Sequence, residues 1–178
     1  ENLYKFLKKY SLINKNYNFD VSINNKDRFS YTEWADFINR CKCMFAPNTG
    51  FDYFFLNDDL RNKVNQSKLK DFNEVFKRFF LNVKDGTKLK CVTGKTIEPA
   101  ACKTPLIQVE GDYDKFKPNI HYIPLNKDYS NIDECMEKLE DNLYVSKIIE
   151  NSYKLVKSEY LYRHHINKLY NIVKKIFK

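Results

Sequence analysis

Apolar positions along the chain recur with two periods, one typical of helices and the other of strands. Helical spacing covers residues 3–13, 31–40, 69–80, 130–139 and 145–178. Period-two alternation or short apolar runs predict strands at residues 17–23, 41–46, 91–92, 106–109 and 120–125. Strands that alternate with helices favour a parallel sheet covered on both faces. We therefore expect an α/β fold of the Rossmann-like, three-layer kind.

Local signals set several element boundaries. Ser30-Tyr31-Thr32-Glu33 is a capping-box sequence, so we expect a helix that begins after Ser30 and buries Trp34 and Ile38. Ser130 is the predicted cap of a later helix. Apart from the helical spacing at residues 69–80, residues 51–90 are the least regular part of the chain, and they are interpreted as an insertion in a single domain that spans residues 1–178.

The charge of the chain is uneven. The formal net charge is +8, but residues 151–178 hold seven Lys or Arg side chains against one acid, Glu159. Residues 125–150 hold three Lys side chains against seven acids. The excess therefore belongs to a basic C-terminal helix at about residues 145–178, which is more typical of a solvated face than of a nucleic-acid groove. Contact with a membrane or an acidic partner stays open.

The cysteines and the hydropathy pattern bear on the cellular setting. The five cysteines are scattered, and the Cys41-Lys42-Cys43 spacing does not suit a zinc site. We expect reduced thiols in the cytoplasm or another reducing compartment. No apolar run reaches the length of a membrane helix, so no integral membrane segment is expected.

A segment in the middle of the chain, Thr93-Gly94-Lys95-Thr96-Ile97-Glu98, carries the candidate chemistry. A helix that begins at Gly94 presents unpaired amides and a partial positive charge, which suit a phosphate. Lys95 adds a full positive charge, and Glu98, one turn on, can accept two protons from a sugar diol. The spacing matches neither the P-loop nor the dinucleotide fingerprint. Simple helix capping with a dipole-complementing acid explains the same residues on local chemistry alone.

The wider order of segments resembles the C-terminal, donor-binding half of group 1 GT-B glycosyltransferases. The pattern of that half contains Arg-x-x-Glu-x-x-Ala-(Cys/Ala)-x-x-Pro-(Leu/Val)-Ile, and residues 95–107 fit this frame with Lys95 in place of Arg. Residues 116–125, followed by Asp128, Tyr129 and Ser130, are similar to a second block of the capsule-associated, protein O-glucosyltransferase-like group. The resemblance covers roughly residues 30–50 and 91–175.

The resemblance implies a role for each candidate residue. Glu98 would bind the nucleotide ribose, and Lys95, at the helix start with Thr93, Gly94 and Thr96, would face the diphosphate. Asn48, Thr49 and Gly50 would line the donor pocket from a neighbouring loop. The substrate would be a nucleotide sugar such as a UDP- or GDP-sugar, with no cofactor and no metal.

The implied reaction is transfer of the sugar to an acceptor hydroxyl on a glycan, protein or other molecule. GT-B enzymes place the acceptor site and catalytic base in an N-terminal domain, which this sequence does not resemble. We therefore expect a further domain or a partner chain, and the sequence identifies no catalytic base. Two alternatives stay open: a basic α/β module for nucleic acid or an acidic partner, and a non-catalytic nucleotide-binding domain.

Overall fold

The chain forms two compact units. The computed structural model describes residues 2–48, 51–54, 57–81, 87–90 and 92–177. One unit comprises residues 1–49 and 92–178, and the other comprises residues 50–91, close to the stretch interpreted as an insertion.

The elements follow in chain order. They are α1 (Asn2–Ile13), α2 (Tyr31–Arg40), β1 (Met44–Ala46), β2 (Phe51–Phe54), α3 (Asp59–Ser67), α4 (Phe72–Val75), β3 (Thr87–Lys90), α5 (Gly94–Ala101), β4 (Leu106–Val109), β5 (Ile123–Leu125), α6 (Ile132–Glu140), α7 (Asn142–Leu155) and α8 (Tyr162–Ile176). A 3-10 turn spans Asn25–Asp27, and π-helical turns extend α4 over Phe76–Phe80 and α7 over Val156–Tyr160.

The larger unit has the expected α/β architecture, with a three-stranded parallel sheet in the order β1-β4-β5. Residue pairs Phe45–Ile107 and Ile107–Ile123 mark the register across the sheet. All four residues of the central strand β4 are buried, as parallel strands covered on both faces require.

Alternate side chains of the strands enter two apolar layers. Ile107, Val109, Ile123 and Leu125 pack with buried residues of α1 and α6 on one face. Ala46 and Leu106 pack with Ala100 of α5 and Val156 after α7 on the other face. The sheet is therefore flanked by helices on both sides, an arrangement compatible with the expected Rossmann-like layering.

Local helix signals are confirmed. Ser30 Oγ accepts from the Glu33 amide, and the Glu33 side chain accepts from the Ser30 amide, which completes the capping box of α2. In α6, the buried residues are Ile132, Cys135, Met136 and Leu139, as the helical spacing predicts. The N-cap of α6 is Asn131, however, and not Ser130.

Several strand predictions are wrong or too long. Residues 17–23 form no strand, because Phe19 and Val21 pack half-buried on the core without joining the sheet. The strands predicted at residues 41–46 and 120–125 are limited to β1 and β5. Of the strand predicted at residues 91–92, Val92 has no strand structure and Cys91 lies outside the described residues.

The smaller unit contains a two-stranded antiparallel sheet. Strands β2 and β3 pair antiparallel, from Phe51 opposite Lys90 to Phe54 opposite Thr87. The helix predicted at residues 69–80 is shorter: α4 begins after Asp71, whose carboxylate accepts from the Glu74 amide at 3.0 Å. Helix α3 was not predicted.

The C-terminal stretch is not one continuous helix. Leu161 adopts an extended conformation, with φ −72° and ψ 143°, and separates the π-helical end of α7 from α8. Within the described part of the chain, no helix is both long and apolar enough to cross a bilayer.

Strands β4 and β5 are joined by an ordered connection without a helix. The Tyr113 hydroxyl donates to the Val109 carbonyl at 2.6 Å, and the Lys117 amide donates to His121 Nδ1 at 2.9 Å. The rings of Tyr113 and Tyr122 meet edge to face. These contacts hold the 110–122 connection against the sheet.

The start of β5 can be tested by two substitutions of the same residue type. Ile123 is fully buried, whereas Ile120 is 44% exposed. We expect Ile123→Ala to lower the free energy of unfolding by about 2–4 kcal/mol, and Ile120→Ala to lower it by less than about 1 kcal/mol. Urea denaturation measures both, and equal losses would contradict the observed strand boundary.

The connection should make stability depend on pH. Burial, and secondarily the charge of Lys117, lower the pKa of His121 below its ordinary value of 6.5. Folding therefore favours the neutral imidazole ring. This stabilisation is fully present above the ordinary pKa, and it is lost as the pH falls through the lowered pKa of the folded state. We expect the free energy of unfolding to decline as the pH falls below the ordinary pKa of 6.5, and His121→Gln to flatten that slope.

The exposed His165 of α8 supplies the control, since His165→Gln should leave the slope unchanged. A slope that survives in His121→Gln would exclude His121 as its origin.

Candidate functional site

A cavity of about 1190 Å³ opens at the carboxyl edge of the parallel sheet. Pro47 and Asn48 follow β1 into it, Val109 ends β4 there, and Lys127 and Tyr129 follow β5. Ligands of open α/β sheets bind beyond the carboxyl ends of the strands. The cavity therefore lies where this fold class binds its ligands.

Two further segments complete the cavity wall. The first turns of α1 contribute Leu3, Tyr4 and Leu7, and the segment between residues 20 and 29 runs along the opening. The apolar alternation at residues 17–23, which predicted a strand, thus belongs to a segment that packs on the core and borders the cavity.

The charged groups at the cavity carry a small excess of positive charge. Among the described lining residues, Arg28, Lys95 and Lys127 are basic and all three are exposed, whereas Asp20 and Asp27 are acidic. The Ser22 hydroxyl donates to Asp27, which holds this carboxylate against its own loop. The three cations come from three separate segments of the chain.

Helix α5 presents its N-terminus near the sheet edge. Thr93 is the N-cap, and its carbonyl accepts from the Thr96 and Ile97 amides at 3.0 and 3.2 Å. The amides of Gly94 and Lys95 precede these first intrahelical bonds. The Lys95 side chain lines the cavity, so a positive charge and the positive end of the helix dipole lie together.

The side chain of Thr96 points into the protein towards β4 and not into the cavity. It is 1% exposed, and its hydroxyl accepts a hydrogen bond from Gln108 Nε2 of β4 at 2.9 Å. The side chain that was predicted to bind the donor thus fastens α5 to the sheet.

Glu98 is exposed and folds back over the start of its own helix. A Cβ added at Gly94 would lie 2.5 Å from Glu98 Oε1, so the absence of a side chain at residue 94 makes room for the carboxylate. Glu98 Oε2 accepts a hydrogen bond from Trp34 Nε1 at 2.7 Å. Glu98 is not part of the cavity lining, but Trp34 is, and the two residues join the helix start to the cavity wall.

Trp34 belongs to an aromatic cluster at the cavity. Its ring is stacked with Phe29 at 6.0 Å and with Phe37 at 5.7 Å between centroids. The expectation that Trp34 is a core residue is corrected, since it is only partly buried and lines the opening. Tyr113 is 3% exposed and belongs to the core.

The structure brings some of the predicted site residues together. Asn48 and Lys95 line the same cavity, and Asn48 Nδ2 donates to the Glu110 carbonyl at 3.4 Å. Gly94 and Glu98 meet at the helix start, whereas Thr49 and Gly50 lie outside the described residues.

Sequence reasoning missed other residues of the cavity, chiefly Arg28, Phe29 and Lys127. One signal could have identified Phe29. It immediately precedes the N-cap Ser30, and Trp34 is the fourth residue of α2, which are the two positions of a hydrophobic staple. Arg28 and Lys127 have no comparable local signal.

The thiols are poor candidates for nucleophiles. Cys41, Cys43, Cys102 and Cys135 are free, and Cys91 lies outside the described residues. Burial raises the pKa of all four thiols, to about 12 for Cys43 and about 11 for Cys135. A catalytic thiolate requires the opposite shift.

The Asp112-Tyr113-Asp114 turn serves a structural purpose. Asp114 accepts a hydrogen bond from the Tyr160 hydroxyl at 2.7 Å, and Lys115 pairs with Glu159. These contacts attach the turn to the end of α7. No cluster of three or more metal-binding side chains occurs among the described residues.

No protein-family model matches the chain, and no curated protein sequence is significantly similar to it.

The Trp34–Glu98 pair provides a spectroscopic test of the site. Trp34 is the single tryptophan of the chain, so its fluorescence reports on this position alone. We expect Gly94→Ala to displace the Glu98 carboxylate and to change the Trp34 emission in the same sense as Glu98→Ala, since both remove the acceptor from the indole N–H.

Glu98→Gln is the matched control for that measurement. It keeps an acceptor oxygen at the end of a side chain of the same length, and its spectrum should stay nearer to that of the unmodified protein. A Gly94→Ala spectrum that does not differ from the unmodified one would contradict the close approach of Glu98 to Gly94.

Proposed function

We propose that this chain is the donor-binding part of a GT-B glycosyltransferase that uses a nucleotide-diphosphate sugar. The observation that carries the proposal is the cavity at the carboxyl edge of the sheet, with Lys95 and the N-terminus of α5 beside it. Its volume of about 1190 Å³ is ample for a nucleotide sugar. The resemblance of residues 95–107 to the donor-binding frame supports the same assignment.

In this proposal, each part of the donor meets a group of suitable chemistry. The diphosphate lies beside Lys95, whose ammonium group and amide stabilise negative charge, because the Glu98 carboxylate already covers Gly94. The aromatic cluster of Phe29, Trp34 and Phe37 offers apolar surface for the base.

Glu98 has fewer free acceptor sites for a ribose than the sequence suggests. Its Oε2 already accepts the Trp34 indole N–H at 2.7 Å. A ribose hydroxyl therefore binds through Oε1, or it replaces the indole at Oε2. Trp34 positions the carboxylate in the first case and is released in the second, so its fluorescence responds differently to the two modes.

The proposed reaction is transfer of the sugar to an acceptor hydroxyl. The bond between the sugar C1 and the diphosphate oxygen breaks, and C1 forms a bond to an acceptor hydroxyl whose proton goes to a base. The Lys95 ammonium group and amide stabilise the departing diphosphate, where the negative charge develops. The base and the acceptor site are assigned to a further domain or a partner chain.

Donor binding can be measured on the intact chain. We expect a UDP- or GDP-sugar to change Trp34 fluorescence and, at a hundredfold excess over its Kd, to stabilise the fold by about 2.7 kcal/mol. Lys95→Gln should weaken binding about tenfold to hundredfold, because a charge-assisted hydrogen bond to phosphate is lost.

Lys147→Gln is the matched control, since it removes the same charge from an exposed position on α7 outside the cavity. If neither UDP- nor GDP-sugars alter fluorescence or stability, the proposal is wrong. Binding without any sugar transfer or donor hydrolysis, once the acceptor-side domain is supplied, would instead identify a non-catalytic nucleotide-binding domain.

A further inference from the structure

Helix α8 has an uncovered apolar face. At 100° per residue, its apolar side chains and that of Phe177 fall in one arc of about 160°. The members of this arc are Tyr162, Ile166, Leu169, Tyr170, Ile172, Val173, Ile176 and Phe177. Their exposed fractions run from 43% for Val173 to 87% for Tyr162. An apolar face this wide and this exposed on a regular helix indicates a binding surface.

The rest of the helix surface is basic. Arg163 and Lys174 border the arc on one side, and Lys168 and Lys175 lie beyond its other edge. No Asp or Glu follows Glu159 in the sequence. His165 also falls within the arc, between Ile172 and Ile176, so a partner of this face meets apolar side chains and one imidazole, flanked by Arg and Lys side chains.

The attachment of α8 leaves the apolar arc uncovered. The extended residue Leu161 separates it from the preceding helix. His164 lies opposite the arc and is half-buried, with Nε2 3.1 Å from the Lys157 carbonyl oxygen. Every residue from His165 to Phe177 is exposed, so both sides of α8 are open to solvent and the apolar arc is uncovered.

The dimensions of the arc distinguish between partners. A coiled coil with a second copy needs a narrow seam over three or more heptads, whereas α8 has 15 residues and a much wider arc. A second copy would also bring another helix without acids. A wide apolar arc with Lys and Arg on the polar face is the form of a helix that lies in a membrane interface.

We infer that α8 binds an anionic lipid surface, with the apolar arc in the headgroup region and the flanking Lys and Arg side chains on the lipid phosphates. This attachment is peripheral and independent of any ligand in the cavity. It gives the chain an interaction surface separate from the proposed donor site.

The inference is tested by vesicle sedimentation with the full 178-residue chain. Vesicles of phosphatidylcholine with about one third phosphatidylserine should bind it at least about tenfold more tightly than pure phosphatidylcholine vesicles, and added salt should weaken binding. The double variant Ile166→Gln/Val173→Gln should lower the affinity about tenfold to hundredfold, because two apolar side chains leave the interface.

The matched control is Asn167→Gln/Asn171→Gln, which introduces the same residue type on the polar side of the same helix and should change binding by less than about twofold. Because the replaced side chains are exposed, both variants should fold, and circular dichroism with thermal melting verifies this.

Three results would overturn the inference: no binding to the anionic vesicles, equal binding by the Ile166→Gln/Val173→Gln variant, or a dimer in solution that this variant converts to a monomer. The last result would assign the apolar arc to a second copy.

Discussion

The setting of the candidate site depends on one buried side chain, Gln108, in the central strand. Its amide nitrogen donates to Thr96 of α5 at 2.9 Å, and its amide oxygen is buried without a hydrogen-bond partner among the described residues. A buried amide nitrogen that loses its acceptor carries the full cost of desolvation. Helix α5 is therefore tied to one place on the sheet, and Lys95, next to Thr96, is held at the sheet edge.

The cavity combines segments that are distant in sequence and differ in chemistry. Strand ends supply its floor, the aromatic cluster supplies an apolar wall, and Lys95 supplies charge beside a helix N-terminus. The resting contact between Trp34 and Glu98 crosses between two helices at this place. A ligand hydroxyl that binds Glu98 must therefore share or exchange this hydrogen bond, which would couple its binding to the position of the aromatic cluster.

The folded structure shows which surface carries the basic residues of the C-terminal stretch. Sequence alone distinguishes a basic C-terminal stretch from an acidic segment before it. In the folded chain, the break at Leu161 makes α8 a separate helix, and every residue from His165 to Phe177 is exposed. Positive charge and exposed apolar surface then occur together, which favours a lipid interface over a purely electrostatic partner such as nucleic acid.

The sequence by itself determined the features that neighbouring residues encode: the Ser30–Glu33 cap, the buried face of α6, the strand β4 and the helix that begins at Gly94. It misjudged residues 17–23, because apolar alternation records which side chains pack on a core and not whether the backbone joins a sheet. Only the tertiary structure decided that Thr96 faces inward and that Glu98 meets Trp34, a residue 64 positions away. Periodicity and capping are local, whereas the partner of a polar side chain depends on which distant segments the core brings together.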